Sequence, residues 1–318
     1  MHQNTKAGRF APTPSGRMHL GNVFCALLAW LAARSSNAPV ILRIEDLDPD
    51  RCSLAAAALL EEDLRWLGLD WDIGGLEGED GPWAQSQRTA FYEHYFRELQ
   101  GKGLVYPCYC TRAELHAAQA PHLSDGRAVY SGRCRNLTEQ QRESFANRRP
   151  AWRLQVPDET IVFKDGCLGY YQENLLQECG DFIIRRSDGV YAYQLAVVID
   201  DALMGVGQVV RGNDLLSSTP RQLYLYRLLG LKPPRFYHIP LLTAQDGRRL
   251  SKRDFDMDMG ILRSRFRQPQ ALLGKLAFLA GLLDRPEPAG AQELVKLFEW
   301  GRLPRENIKV PLELFMEG

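Results

Sequence analysis

The chain has 318 residues, 45% of them hydrophobic and 25% charged, and its net charge of +0 excludes a protein that coats nucleic acid or an acidic membrane by bulk attraction. No apolar run approaches the roughly 18 residues of a membrane span, and the amino terminus lacks the apolar core of a secretory signal. Seven thinly spread cysteines argue against a disulfide framework, so we expect a cytoplasmic protein with reduced thiols.

The first hundred residues predict the opening of a doubly wound α/β domain. A short strand at residues 9–14 runs into a Pro/Gly turn, and a helix with apolar recurrence begins at Leu20. The apolar run "APVILRIED" is typical of a buried parallel strand, and the helix after it has Ser53 as its expected N-cap. This order of elements is that of a nucleotide-binding sheet.

The α/β rhythm stops at residue 105 and returns after residue 180. Between these points the chain holds a cysteine pair and the stretch "RLQVPDETIVFKDGCLG", which alternates like antiparallel strands. We therefore predict one catalytic sheet in two halves, residues 1–104 and 181–246, with an insertion at 105–180. Residues 247–318 are expected to form a loop followed by a helical, basic unit.

The stretch "RFAPTPSGRMHLGN" would place a stiff loop between the first strand and the first helix. Ligands of an open parallel sheet bind at this edge, where helix N-termini offer N–H groups to anions. His19 could bond a phosphate there, and Gly21 would leave room for a ligand against the backbone. A turn followed by a half-buried histidine would explain the same short motif.

A second stretch, "GRRLSKRD", follows the last expected strand of the sheet. Lys252, beside Ser251 in a loop that begins with glycine, can reach a polyphosphate and neutralise a leaving pyrophosphate. Taken alone, such a basic loop is more often a solvated surface.

Together the two stretches resemble the two signature sequences of the class I aminoacyl-tRNA synthetases. "HLGN" matches the first signature with Asn22 in place of its final His, and "RLSKR" keeps the Ser-Lys core of the second. The segments "LRIEDLD", "STPRQLYLYRLLG" and "RFYHIPLL" follow the order of the glutamyl branch. The resemblance implies a Rossmann-type parallel sheet, a zinc-containing insertion and a short C-terminal helical domain that contacts an RNA stem. It also implies ATP-binding residues, His19, Gly21, Asn22 and Lys252, and catalytic residues, His19, Ser251 and Lys252.

The same resemblance implies a pocket for L-glutamate. Arg9 would hold the side-chain carboxylate as a planar bidentate pair, and Glu45 would accept the ammonium group. Glutamine would leave a cation unpaired in a dry site, which is a costly mismatch. Without the family resemblance, each of these charged residues would be equally well explained by a surface salt bridge. The other pocket residues implied are Ala11, Thr13, Tyr193 and Arg211.

A metal site is predicted within the insertion from "PCYC" and "YSGRC". Thiolates suit tetrahedral zinc, but the spacing of Cys108 and Cys110 is tight, and three unlinked thiols are an equal alternative from spacing alone. The resemblance favours one Zn²⁺ held by Cys108, Cys110, Cys134 and Tyr130. His116 and His122 are the rival fourth ligands. The other cysteines are expected to be packing residues: Cys25, Cys52, Cys167 and Cys179.

Two arginine-rich stretches, 127–153 and 259–283, suit an RNA backbone. About 65 residues follow Arg253, too few for a separate anticodon-binding domain. This length is similar to that of the glutamyl-Q tRNA(Asp) synthetases, truncated paralogues of the glutamyl enzymes.

This resemblance implies a monomer that uses ATP and Mg²⁺ to activate L-glutamate without tRNA. The glutamate would then pass to queuosine in the anticodon loop of tRNA(Asp). Three alternatives stay open: a glutamyl-tRNA synthetase charging the 3′ end of tRNA(Glu), a nucleotidyltransferase, and a non-catalytic tRNA-binding paralogue.

Overall fold

The computed structural model describes residues 7–79, 81–111, 114, 129–248, 250 and 257–315. Its strands are β1 (Ala7–Phe10), β2 (Val40–Leu42), β3 (Ile73–Gly74), β4 (Val105–Cys108), β5 (Ala151–Leu154), β6 (Thr160–Asp165), β7 (Gly169–Asn174), β8 (Phe182–Arg185), β9 (Val206–Gly212), β10 (Arg235–Ile239), β11 (Leu242–Thr243) and β12 (Ile308–Lys309).

Its α-helices are α1 (Leu20–Ser35), α2 (Leu54–Leu67), α3 (Thr89–Gly101), α4 (Glu139–Glu143), α5 (Tyr193–Leu203), α6 (Thr219–Leu228), α7 (Met259–Arg265), α8 (Pro269–Leu279) and α9 (Ala291–Val295). Short 3₁₀ segments lie at Gln85–Arg88, Asn213–Ser218, Trp300–Arg302 and Leu312–Phe315, and a π-helical turn lies at Leu175–Cys179.

The central sheet has five parallel strands in the spatial order β10-β9-β1-β2-β3. The chain proceeds from β1 to β2 on one side and returns with β9 on the other side of β1. The order therefore reverses between β1 and β9, and a crevice for ligands is expected at the carboxyl ends of these two strands. The predicted α/β class is confirmed.

Two apolar cores cover the two faces of this sheet. One core joins α1 and α2 to the C-terminal helices α7, α8 and α9, and the other joins α3, α5 and α6. Gly8 of β1 permits close packing on α1, because a Cβ at this position would lie 2.7 Å from the Cβ of Ala33. The predicted N-cap of α2 is confirmed, since the side chain of Ser53 accepts a hydrogen bond of 3.1 Å from the N–H of Ala56.

The insertion forms the expected antiparallel strands. β4, β5 and β8 make a three-stranded sheet, and β6 and β7 make a hairpin. The sequence predicts an insertion that ends at residue 180. Because β8 pairs with β5, the three-stranded sheet continues past this residue. The hairpin packs against the catalytic sheet, with the rings of Phe163 and Phe236 6.3 Å apart.

Two expectations from the sequence need correction. The first strand ends at Phe10 and does not reach residue 14, because Pro12 and Pro14 have no N–H group for a strand ladder. The C-terminal unit is not entirely helical, because β12 returns to pair in parallel with β11. No helix among the described residues has both the length and the apolar character needed to cross a membrane.

Candidate active site

The loop after β1 brings the first motif to the crevice. Gly16 has φ 139°, a backbone conformation that side-chain-bearing residues rarely adopt, and it turns the chain towards α1. His19 is the N-cap residue of α1, and the side-chain oxygen of Asn22 accepts a hydrogen bond of 3.2 Å from the N–H of His19. Asn22 therefore stabilises the helix start at the position that departs from the family signature.

A cavity of about 690 Å³ opens at the carboxyl ends of β1 and β9, between this loop and the start of α5. Its volume is typical of small-molecule sites. The structure places every described residue of the two predicted sites in its lining. The amino-acid set is Arg9, Ala11, Thr13, Glu45, Tyr193 and Arg211, and the ATP set is His19, Gly21 and Asn22.

Ser251 and Lys252, the predicted residues of the second signature, lie outside the described residues. The described residues on either side of this segment are both next to the first motif. Leu250 lines the cavity, and the carbonyl of Met257 accepts a hydrogen bond of 3.0 Å from the N–H of Leu20. A bridge between His19 and Asp258 continues this pairing.

Arg211, near the end of β9, is a buried cation whose described partners are all neutral groups. Its Nε donates to Nε2 of His238 at 3.0 Å, and its terminal nitrogens donate to the Thr219 hydroxyl at 2.8 Å and the Tyr193 hydroxyl at 3.4 Å. The side chain is 3% exposed, and no carboxylate of the described residues forms an ion pair with it. A buried guanidinium in this state strongly favours an anionic ligand.

Arg9 and Glu45 lie on neighbouring strand ends and share a charged network. Arg9 Nε is 3.5 Å from the carboxylate of Asp201, which also accepts a hydrogen bond of 2.6 Å from Arg43. Arg43 donates a second hydrogen bond of 3.0 Å to Glu45. Burial raises the pKa of Glu45, and the nearby Arg43 and Arg9 only partly offset this effect.

Sequence reasoning missed the buried groups that hold this network. Arg43 is completely buried within the strand-like stretch "LRIED", and it contacts acidic side chains near the C-terminal end of α5. Asp200 accepts hydrogen bonds from Arg88, Gln85 and Tyr92 at 2.6 to 2.8 Å. Two adjacent acids in the otherwise apolar helix "YQLAVVIDDAL" were the available signal.

The three predicted cysteine ligands lie together in the insertion. The sulfur atoms of Cys108, Cys110 and Cys134 lie within 4.8 Å of one another. The Tyr130 hydroxyl is 3.4 Å from the sulfur of Cys108 and 3.7 Å from that of Cys110. This geometry favours a clustered site over three unlinked thiols. The rival ligands His116 and His122 lie outside the described residues.

Arg153 lies directly against the cysteine cluster. Its Nε donates to the sulfur of Cys108 at 3.3 Å, and its guanidinium stacks 3.7 Å above the Tyr130 ring. Burial would raise the pKa of the Cys108 thiol, but hydrogen bonds from Tyr130 and Arg153 outweigh it and the pKa is lowered. By contrast, burial raises the pKa of Cys110 to about 12.

Some arginines of the two predicted basic stretches are buried or form intramolecular ion pairs and hydrogen bonds. Arg153 is 6% exposed, and Arg135 forms an ion pair with the buried carboxylate of Asp181. In the C-terminal stretch, Arg263 pairs with Glu62 and Asp63, and Arg265 bonds the carbonyl of Phe315. Within these two stretches, the described arginines that stay exposed are Arg133, Arg142, Arg148, Arg149 and Arg267.

A parallel sheet with a crevice between β1 and β9, a helix N-terminus and a charged pocket are the features of a nucleotide-binding α/β domain. The family description "tRNA synthetases class I (E and Q), catalytic domain" matches residues 7–302, so the chain belongs to this family. The resemblance predicted from the two signature stretches is confirmed.

Two similar curated proteins differ in name. A glutamyl-Q tRNA(Asp) synthetase of Symbiobacterium thermophilum is 49% identical over 311 residues, covering 96% of each chain. A glutamate–tRNA ligase 2 of Alkalilimnicola ehrlichii is 47% identical over 276 residues, which cover 85% of this chain and 58% of that one. Among solved structures, a glutamate tRNA ligase from Elizabethkingia meningosepticum in complex with its amino acid has a TM-score of 0.84 at 26% identity, covering 98% of this chain and 68% of that one.

Proposed function

We propose that the chain activates L-glutamate with ATP in the absence of tRNA and transfers the glutamate to queuosine in the anticodon loop of tRNA(Asp). The observation that carries the choice of an acidic amino acid is the presence of two buried cations in the cavity, Arg9 and Arg211, the second of which has only neutral described partners. The proposed acceptor is that of the 49% identical glutamyl-Q tRNA(Asp) synthetase, 96% of whose length matches this chain.

In this function each charge of glutamate has a counterpart in the cavity. The guanidinium groups of Arg9 and Arg211 would hold the carboxylates, with the side-chain carboxylate on Arg9. Glu45 would accept the ammonium group through the carboxylate oxygen that does not contact Arg43. Tyr193 would complete the pocket, since its hydroxyl already lies 3.4 Å from Arg211. Glutamine lacks one carboxylate and would leave a guanidinium desolvated and unpaired.

Activation is a displacement at phosphorus that needs orientation and charge stabilisation, with no covalent enzyme intermediate. The α-carboxylate of glutamate attacks the α-phosphorus of ATP, and pyrophosphate leaves with the electron pair of the broken P–O bond. His19 and the N-terminus of α1 would stabilise charge on the phosphates. Lys252, with Ser251 beside it, would do so from the segment between Leu250 and Met257, whose described neighbours border the cavity.

Mg²⁺ would enter with ATP as the metal complex of the nucleotide. This ion usually keeps several waters and binds substrate phosphates with few protein carboxylates, so the basic lining of the cavity is compatible with it. When bound, it neutralises phosphate charge. In the second step a hydroxyl of the queuosine cyclopentenediol attacks the glutamyl carbonyl, and AMP leaves.

The cysteine cluster would hold one Zn²⁺ through Cys108, Cys110, Cys134 and Tyr130. Sulfur ligands of a tetrahedral zinc lie about 3.8 Å apart, from Zn–S bonds of about 2.3 Å. Cys110 and Cys134 are 3.5 Å apart, which fits this requirement. The ion would tie β4 to the loop that carries Tyr130 and Cys134 and thereby fix the shape of the insertion.

A second candidate function is charging of the 3′ end of tRNA(Glu). It is supported by the glutamate–tRNA ligase 2 of A. ehrlichii, whose 47% identity is close to that of the glutamyl-Q relative. Both functions share the activation step, so only the acceptor separates them.

The decisive experiment supplies labelled glutamate and ATP with three RNAs: tRNA(Asp) containing queuosine, the same tRNA without it, and tRNA(Glu). We expect label only on the first RNA, and label on tRNA(Glu) alone would establish the second candidate. A parallel ATP–pyrophosphate exchange without RNA should depend on glutamate. Exchange driven equally well by glutamine would refute the assigned pocket, and no exchange with either amino acid would favour a non-catalytic tRNA-binding protein.

A further inference from the structure

A buried chain of hydrogen bonds connects the insertion to Arg211. Asp165 is the last residue of β6 in the insertion hairpin, and His238 lies on β10 of the central sheet. A carboxylate oxygen of Asp165 is 2.7 Å from Nδ1 of His238, whose Nε2 is 3.0 Å from Nε of Arg211. Asp165 and His238 are 1% and 0% exposed, and neither belongs to the described lining of the cavity. Their effect on a ligand in the cavity would therefore be indirect, and the hydrogen bond to Arg211 is the contact that leads there.

These contacts determine which ring nitrogen of His238 carries the proton. A carboxylate only accepts, so Nδ1 must donate to Asp165, and the Arg211 Nε–H only donates, so Nε2 must accept. Burial lowers the pKa of His238, and the nearby Arg211 acts in the same direction while Asp165 opposes it. The Thr219 hydroxyl contacts both residues, because it lies 2.8 Å from a terminal nitrogen of Arg211 and 3.3 Å from Nε2 of His238.

We propose that Asp165 and His238 are positioning residues that hold Arg211 towards a carboxylate of the substrate while leaving its charge unneutralised. This inference rests on the proposed function. A carboxylate in direct contact with Arg211 would form a charge-assisted pair and compete with glutamate for the guanidinium. The neutral imidazole of His238 lies between Asp165 and Arg211 and instead supplies a hydrogen-bond acceptor of fixed direction. The hairpin of the insertion would therefore set the geometry of the amino-acid pocket.

The variant Asp165→Asn tests the direction of these hydrogen bonds. The Oδ1 atom of Asp165 accepts from the N–H groups of Cys167 and Leu168, each at 2.9 Å. An Asn side chain would keep its oxygen on this turn and present its NH₂ group to Nδ1 of His238. Nδ1 must then accept, the proton moves to Nε2, and two donors meet at Arg211.

The matched pair at the other residue is His238→Gln and His238→Leu. A Gln side chain can donate to Asp165 through its NH₂ group and accept from Arg211 through its oxygen, whereas Leu fills the space and offers no acceptor. A purely structural role of the buried ring predicts no advantage of Gln over Leu. The proposed role predicts that Gln preserves glutamate binding and that Leu does not.

The readout is ATP–pyrophosphate exchange, analysed separately for glutamate and for ATP, with glutamate binding measured directly by calorimetry. For Asp165→Asn and His238→Leu we expect the KM for glutamate to rise about tenfold or more, the cost of leaving a buried donor without an acceptor. The KM for ATP should not change, and His238→Gln should stay near the parent protein.

Three outcomes would overturn the inference: an unchanged glutamate KM in Asp165→Asn, an equal rise for ATP and glutamate, or equal losses for the Gln and Leu variants. If Asp165→Asn does not fold, the Gln and Leu comparison alone decides. Absence of glutamate-dependent exchange in the parent protein is a different result, which removes the proposed function and this inference together.

Discussion

The most demanding test of the charged network is Arg43→Met, which removes a buried cation while keeping a side chain of similar length. Arg43 is 0% exposed and contacts Asp201 at 2.6 Å and Glu45 at 3.0 Å. Burial alone would lower its pKa, but the surrounding carboxylates outweigh burial and raise it. After substitution, Asp201 would keep only the 3.5 Å contact with Arg9.

Removing one partner of a buried ion pair typically costs about 3–5 kcal/mol, because the remaining charge stays buried without compensation. That loss is a large fraction of the stability of an ordinary domain. Urea unfolding, monitored by tryptophan fluorescence, measures this loss of unfolding free energy. The matched control is Arg97→Met on α3, where Arg97 is 73% exposed and pairs only with Glu93. We expect the control to move the unfolding midpoint far less, and equal shifts in the two variants would refute the assigned importance of the network.

Two further predictions concern packing and metal. Gly8→Ala should destabilise the protein by about 1–3 kcal/mol through overpacking against Ala33, whereas Gly101→Ala, where a Cβ meets nothing within 4 Å, should be neutral or slightly stabilising in the same denaturation assay. Equal losses in both variants would contradict the close contact between β1 and α1. Cys110→Ser should lower the zinc content of the purified protein well below one ion per chain, while Cys52→Ser, outside the cluster, should not. Atomic absorption measures the zinc content of both variants, and equal contents would exclude the proposed ligand set.

Much of the cavity could be predicted from the sequence because its residues lie in short motifs whose backbone conformation is determined locally. "RFAPTPSGRMHLGN" combines a strand end, a glycine with positive φ and a helix start within 14 residues. The loop brings Arg9, His19 and Gly21 to one edge of the sheet, and backbone hydrogen bonds with Glu45 and Met257 hold it there. The parallel order of the strands followed from the same local alternation of strand and helix.

The supporting groups could not be predicted, because their partners are far apart in the chain. Asp165 and His238 are 73 residues apart, and Arg43 and Asp201 are 158 residues apart. In the sequence Asp165 precedes a Gly in an ordinary hairpin turn. Arg43 interrupts an apolar strand, where an arginine fits a surface salt bridge equally well. The packing of the β6–β7 hairpin against β10, and of α5 against the central sheet, brings these charges together.

The pairing of the buried charges supports glutamate as the ligand of the proposed pocket. Asp200 is balanced by Arg88 and Asp201 by Arg43, both at 2.6 Å, so these pairs satisfy one another inside the protein. Arg9 and Glu45 also contact this network, at 3.5 Å from Asp201 and 3.0 Å from Arg43, whereas Arg211 forms no ion pair with a described carboxylate. Glutamate has two carboxylates and one ammonium group, whereas glutamine has one of each. Since an unpaired charge in a desolvated site is expensive, a pocket that places Arg9 and Arg211 against two carboxylates would favour glutamate over glutamine.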